Sequence, residues 1–171
     1  LKRHLDGMLD GLRFDLTERP RLVHRLDRDT SGVLILGRNA LAAAKLAAAF
    51  RERTAQKTYW ALVVGVPRPR KGKITSQIAK KGGVMAGRTT MAKAGGKPGL
   101  TEYEVLESAG NKIAWLSLKP HTGRTHQLRV HCTELGTPIL GDGKYGGRNA
   151  FLEGIPKAKK LHLHAQFLEI P

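Results

Sequence analysis

Two polar clusters in the 171-residue sequence combine side chains able to do chemistry. The first is His24-Arg25-Leu26-Asp27-Arg28-Asp29-Thr30-Ser31-Gly32. Asp27 lies between Arg25 and Arg28, and a carboxylate flanked by cations stays ionised at neutral pH, ready to act as nucleophile or base. A structural reading competes with it: Asp27 or Asp29 caps local backbone in an Asx-type turn while the arginines face solvent. The second cluster is His121-Thr122-Gly123-Arg124-Thr125-His126-Gln127-Leu128-Arg129, at the start of an expected helix. Free backbone donors at a helix start attract anions such as phosphate or carboxylate. Here the structural reading is a plain cap at Thr122 or Thr125 with both histidines partly exposed, and it suits Arg124 least.

A third feature is Tyr59-Trp60 in a chain with few aromatics. Neighbours on a strand point to opposite faces, so one ring packs in a core and the other is available to a cleft. A ring facing a cleft stacks on a nucleobase for about 1–3 kcal/mol. The histidines do not make a metal site by spacing. His126 and His131 are five residues apart and rotate off a common helix face. His162 and His164 share a strand face but lack an indicated third ligand. No metal is therefore expected at these residues, His121 included. Cys132 is the one cysteine, which excludes an internal disulfide and a four-cysteine zinc site and fits a reducing cytoplasm. No Walker loop or dinucleotide fingerprint sits at a strand-to-helix turn, so no nucleotide cofactor is expected.

The elements that must hold these residues are legible in the patterning. Leu5, Met8, Leu9 and Leu12 repeat at helical spacing. Gly32 to Gly37, directly after the Asp27 cluster, reads as one buried strand. Asn39 caps an alanine-rich helix over 40–50. Lys57 to Val66 is β-branched and aromatic and ends at Pro67, as a long central strand does. Residues 68–99 read as hairpins, with strand pieces near Ile74 and Met91 and glycine- and lysine-rich loops such as Lys80-Lys81-Gly82-Gly83. Thr101–Glu107 and Lys112–Lys119 form an expected antiparallel pair turning at Ala109-Gly110-Asn111. Thr125–Leu135 is helical, with Leu128, His131, Cys132 and Leu135 on one face and Gly136 as its stop. Leu161–Ile170 closes the chain as a strand. The sum is an α+β fold, a mixed, mainly antiparallel β-sheet core flanked by helices and loops, in a single domain over 1–171.

Thirty Lys+Arg stand against 14 Asp+Glu, a formal charge of +16. No acid falls between Glu52 and Glu102, while Arg53, Lys57, Arg68, Lys81, Arg88, Lys93 and other cations do. So one-sided a surface repels itself unless it meets a polyanion, and nucleic acid is the expected partner. With 40% hydrophobic and 26% charged residues, fibrous and wholly disordered classes are excluded. No run approaches the roughly 18 consecutive apolar residues of a membrane span.

These residues resemble the catalytic domain of RluA-type pseudouridine synthases, a family that includes large-subunit ribosomal RNA enzymes. The matching pieces are His24-Arg25-Leu26-Asp27 through Gly32, Gln56-Lys57-Thr58-Tyr59-Trp60-Ala61, His121 through His131, and Gly141-Asp142-Gly143-Lys144-Tyr145-Gly146. The resemblance implies isomerisation of uridine to pseudouridine in RNA, 23S ribosomal RNA first and tRNA as the alternative, without metal or cofactor. It implies that Asp27 is the essential carboxylate, as nucleophile on the sugar or as base toward a ribose proton. By the same resemblance Tyr59 stacks on the extruded uracil and Arg124 pairs with Asp27. RNA contacts then fall to Arg25, Arg28, Lys57, His126, Gln127, Arg129 and Lys144. The family's usual Lys-Pro strand pair and S4-like domain, ahead of the aspartate motif, are not in this sequence, so a catalytic core is expected, acting as a cytoplasmic monomer. Two rivals remain from the residues themselves. One is a magnesium-dependent nuclease using Asp27, Asp29, Asp142 and a histidine. The other is a basic RNA-binding protein without chemistry.

Overall fold

From Tyr59 to Val63 every second side chain turns inward, and the same period governs Tyr103 and Val105 and the run Ala114, Leu116, Leu118. Segments of this kind pair through their backbones and present one shared apolar face. The computed structural model describes residues 4–80, 89–91, 95–154 and 160–171. Lys81, Arg88 and Lys93 of the basic interval, with the Lys81-Gly82-Gly83 part of its first loop, lie outside the described residues. In chain order the elements are a 3-10 helix at Leu5–Leu12, β1 (Arg21–Leu22), β2 (Ser31–Gly32), β3 (Leu36–Gly37), α1 (Ala40–Glu52), β4 (Gln56–Val64), β5 (Lys71–Lys80), β6 (Thr89–Met91), β7 (Lys97–Ala109), β8 (Ile113–Pro120), α2 (Gln127–Glu134), a 3-10 turn at Gly147–Ala150, and β9 (Leu163–Glu169).

Two compact units share these elements. One holds the residues up to Leu26, Val33–Gln56 and Leu168–Pro171. In it β1 and β3 pair antiparallel, with Leu22 opposite Leu36. The Asn39 side chain accepts the Ala42 N–H at 2.8 Å and starts α1 where the sequence places it. Helix α1 packs directly on β3, because a Cβ at Gly37 would stand 2.6 Å from that of Ala43. His24 Nε2 accepts the Ile35 N–H at 2.9 Å, and its ring stacks on Phe50 at 4.5 Å.

The expected single strand from Gly32 to Gly37 is therefore corrected to two short pieces in different sheets, β2 and β3. The Ile35 amide serves a histidine side chain there instead of a strand ladder.

The second unit, Asp27–Gly32 with Lys57–Phe167, is built on the larger sheet. Among the described residues its order is β2-β9-β4-β8-β7-β5-β6. Strand β2 is parallel to β9, and the β4/β8, β8/β7, β7/β5 and β5/β6 pairs are antiparallel. The sheet is mixed and mainly antiparallel, as expected. The β7–β8 hairpin turns at Ala109–Lys112 with a bulge near Leu106. Ala61, Val63, Leu116, Leu118, Tyr103 and Val105 form the buried face, covered by Leu128 and Cys132 of α2 and by Ile139. Helix α2 starts two residues later than expected, because His126 takes a left-handed backbone (φ 54°) that cannot continue a helix. Gly136 (φ 73°) ends it as expected. Cys132 is buried within this core, and burial pushes its thiol up to about 12. No helix among the described residues is long and apolar enough to cross a membrane.

Candidate active site

Asp27 opens a tight turn in which its carbonyl accepts the Thr30 N–H at 2.9 Å, with Arg28 and Asp29 between them. Directly after the turn, Ser31 and Gly32 pair with His164 and Ala165 of β9. Ser31 Oγ and His164 Nδ1 add a hydrogen bond at 2.9 Å. Gly32 is required here. At its φ of 120° a Cβ would stand 2.1 Å from the Ala165 carbonyl oxygen, so no other residue allows this close approach.

The turn occupies Asp27's backbone, not its side chain. Among the described residues, its carboxylate accepts no side-chain hydrogen bond, and His126 Nε2 stands 3.8 Å from it. The carboxylate is a quarter exposed. Arg28 engages Asp29 at 3.2 Å with both side chains open to solvent, so the arginine faces solvent as the structural reading has it while Asp29 takes that arginine as its partner.

Tyr59 comes from β4, opposite Leu118 of β8, and its ring packs on the core. Burial, with Asp27's charge second, pushes its phenol above the usual range. Trp60 turns to the other sheet face, where it meets Trp115 edge-on at 4.9 Å. Of the two aromatics, Tyr59 is the one within Asp27's field. Lys57, two residues earlier on the same side of the strand, has its ammonium 3.8 Å from where a Cβ at Gly123 would be, and burial pulls its pKa down.

The loop from His121 to His126 is tied to β7 through one buried amide. Gln127 Nε2 donates to the Leu100 carbonyl and to Thr101 Oγ1, both at 3.0 Å. Its Oε1 accepts from Thr122 Oγ1 at 2.7 Å and from the Arg124 N–H at 3.1 Å. Thr122 Oγ1 in turn accepts the Leu100 N–H at 2.9 Å. Neither threonine caps α2, whose start has no side-chain cap. Gln127, expected to touch RNA, is buried with its donors and acceptor engaged inside the protein.

Arg129 receives the same correction. Its side chain is 7% exposed and donates to Asp142 through Nε at 2.8 Å and through a terminal nitrogen at 2.6 Å. That guanidinium also lies over the Tyr145 ring, 4.8 Å from its centre. Tyr145 Oη accepts the Thr89 N–H at 3.1 Å and lies 2.5 Å from His126 Nδ1. Arg124, expected to pair with Asp27, donates its Nε to the Pro98 carbonyl at 3.1 Å and makes no ion pair with Asp27. Arg25 is exposed, and Lys144 lies 5.6 Å over the Tyr145 ring.

His131, on α2, is buried between Ser76 Oγ (3.0 Å) and Thr101 Oγ1 (2.9 Å), and burial pulls its pKa down to about 4. With both ring nitrogens engaged it serves the core. The sequence carried little signal for Arg129–Asp142 or His126–Tyr145, since the partners are 13 and 19 residues apart. The only hint was that both pairs join the third and fourth matching motifs.

The arrangement offers a carboxylate without a hydrogen bond from the described residues, beside a half-buried phenol and cations. It matches known proteins on several counts. The family model for RNA pseudouridylate synthase matches residues 3–134. Over 145 residues the chain is 43% identical to ribosomal large subunit pseudouridine synthase C of Rickettsia conorii, covering 85% of this chain and 46% of that one. It is 40% identical over 168 residues to an uncharacterized RNA pseudouridine synthase of Zymomonas mobilis, covering 97% of this chain and 74% of that one. The solved structure of human RNA pseudouridylate synthase domain containing 4 superposes with a TM-score of 0.85 at 30% identity, covering 100% of this chain and 76% of that one. The chain thus spans less than half the length of the Rickettsia protein.

Proposed function

The chain belongs to the RNA pseudouridylate synthase family, and from that premise we propose that it isomerises uridine to pseudouridine in RNA, with large-subunit ribosomal RNA as substrate. The reaction breaks the bond from ribose to uracil nitrogen 1, turns the base, and rejoins it through carbon 5. Atoms are conserved, so neither a redox partner nor a phosphoryl donor is called for. A uridine inside a stack is out of reach, and extruding it costs a few kcal/mol that cationic and aromatic groups must offset.

Asp27 acts on the ribose, as nucleophile on carbon 1 or as base toward a ribose proton. Tyr59 stacks on the extruded uracil and helps remove the carbon 5 proton. The observation that carries this reading is the Asp27 carboxylate, a quarter exposed and without a hydrogen bond among the described residues, with Tyr59 inside its field. A capping aspartate would have its oxygens on local backbone. Arg124 is the site's available cation: among the described residues one charge-assisted bond to the Pro98 carbonyl holds its guanidinium, worth about 1.5–3 kcal/mol net, which an ionic bond to an RNA phosphate or to Asp27 replaces. Arg25, Arg28, Lys57 and Lys144 meet phosphates. The whole chain serves as one catalytic domain, working as a monomer in the cytoplasm.

Mapping pseudouridines in RNA from cells lacking this protein tests the assignment. One or more large-subunit ribosomal positions should revert to uridine. Reversion confined to tRNA would move the substrate, and an unchanged map would overturn the proposal.

A further inference from the structure

Among the described residues no arginine forms an ion pair with Asp27. Arg28 is given to Asp29 and Arg124 to Pro98; among the described residues His126 Nε2, at 3.8 Å, is the basic group within 4 Å of the carboxylate, with Tyr59 and Arg129 also in its field. That distance is somewhat too long for a hydrogen bond, and catalytic contacts commonly tighten once substrate is bound.

His126 is held in place from several sides. Its backbone sits in the left-handed region, uncommon for a residue with a side chain and a mark of positions whose surroundings dictate their geometry. Its ring meets Tyr145 edge-on, with centres 5.5 Å apart. Tyr145 is fixed in turn by its own N–H to Asp142 Oδ1 at 3.2 Å and by Arg129 over its ring, with Arg129 locked to the same Asp142. With the Tyr145 oxygen accepting the Thr89 N–H, the arrangement that also uses the phenol's own proton sends it to His126 Nδ1. The hydrogen-bond pattern therefore assigns the imidazole's remaining proton to Nε2, the nitrogen toward Asp27.

We propose that His126, locked by Tyr145, is a positioning residue for Asp27: its Nε2–H orients the carboxylate toward the bound nucleotide. The proposal rests on Asp27 being the catalytic carboxylate. It departs from the RNA-contact role suggested by the motif, for which a side chain only 16% exposed and turned to Asp27 is poorly placed.

The charges around the ring keep it in this form. Burial pulls the imidazole's pKa below its usual value. Asp27 and Asp142 oppose that pull, while Arg129 and Lys144 reinforce it. At neutral pH the ring is uncharged with its proton on Nε2. At lower pH the imidazolium grips Asp27 as an ion pair and draws charge from the carboxylate, so turnover falls on the acid side.

The test measures tritium release from large-subunit ribosomal RNA transcripts carrying 5-tritiated uridine, under single-turnover conditions, for the unmodified protein and for His126→Ala, His126→Gln, Tyr145→Phe and Asp27→Asn. His126→Ala should lose about 10²-fold in rate, the scale of a misplaced reacting group, with half-saturating RNA unchanged. His126→Gln puts an amide N–H where Nε2 stood. It should recover about tenfold or more of that loss and lack the wild-type acid limb. Tyr145→Phe should fall between them. If His126→Ala fails to fold, the other two variants carry the comparison. A wild-type rate and pH profile in His126→Ala, or a rise in half-saturating RNA at unchanged rate, overturns the proposal while Asp27→Asn stays inactive. His126→Gln no better than His126→Ala, or still showing the acid limb, overturns it equally. Full turnover by Asp27→Asn instead removes the premise on which it stands.

Discussion

Changing Asp142 to Asn tests the buried pair beneath the site. Arg129 and Asp142 are 7% and 0% exposed at their side chains, and two charge-assisted bonds at 2.8 and 2.6 Å join them. Deleting one member of a buried pair leaves the other charge without compensation, a loss of about 3–5 kcal/mol. Asparagine keeps one oxygen for one of the bonds, which places the expected loss at the low end, about 3 kcal/mol. For a chain of this length that is about 6–12 °C in Tm, at about 2–4 °C per kcal/mol. It is also a large part of the about 5–15 kcal/mol that holds a domain folded. Urea unfolding at pH 7 reads the difference directly. Replacing both groups by apolar ones, Arg129→Met with Asp142→Leu, removes both desolvation costs and should destabilise less than Asp142→Asn alone. A single variant within about 0.5 kcal/mol of wild type would refute the reasoning, because only a surface pair is that cheap to break. So would a double variant less stable than the single one.

Three further outcomes follow from particular contacts. Gly32→Ala drives a Cβ into the Ala165 carbonyl at a positive φ; it should cost at least about 1–3 kcal/mol and, by moving the Asp27 turn, much of the turnover, as unfolding and tritium-release assays will show. His131 stays neutral in the folded protein down to about pH 4, whereas in the unfolded chain it binds a proton below about 6.5. The unfolded state therefore holds more protons between those values, so stability should fall as pH drops from about 6.5 to 4, by up to about 3 kcal/mol, and His131→Gln should flatten that dependence in urea titrations at stepped pH. Gln127→Ala strands the Thr101, Thr122 and Arg124 groups it now satisfies and should cost about 2–4 kcal/mol, while RNA affinity per folded molecule, measured by filter binding, stays near wild type. A large affinity loss without destabilisation would return Gln127 to the RNA surface.

Much of this molecule was legible from its residues. The β7–β8 hairpin was plain because alternation and Gly110-Asn111 agree on one register, and α1 because Asn39 and seven alanines agree on a start and a run. The strand expected over Gly32–Gly37 failed because a short apolar run says nothing about which sheet takes each end. The His24 side chain, 11 residues from Ile35, breaks it in two. Within the site, the motifs named Asp27 and Tyr59 and the structure brings them into one field. They did not tell which polar groups turn inward. Gln127 to Cys132 are all buried on α2, so this helix has no solvent face along that stretch to mark polar residues as exposed. Gln127 and Arg129 then read as RNA contacts although the fold uses them to hold a loop and a tyrosine. Arg124 shows the converse, a surface cation whose partner in the free protein is a carbonyl instead of the expected carboxylate.

The central claim is that Asp27 carries uridine isomerisation. It is tested most directly by tritium release from 5-tritiated uridine in large-subunit ribosomal RNA, without added metal or cofactor, for the protein and for Asp27→Asn. Release by the unmodified protein, with none above background in a folded Asp27→Asn that still binds RNA, is the predicted result. Equal release by both proteins, or none by either under conditions where the RNA is bound, would contradict it.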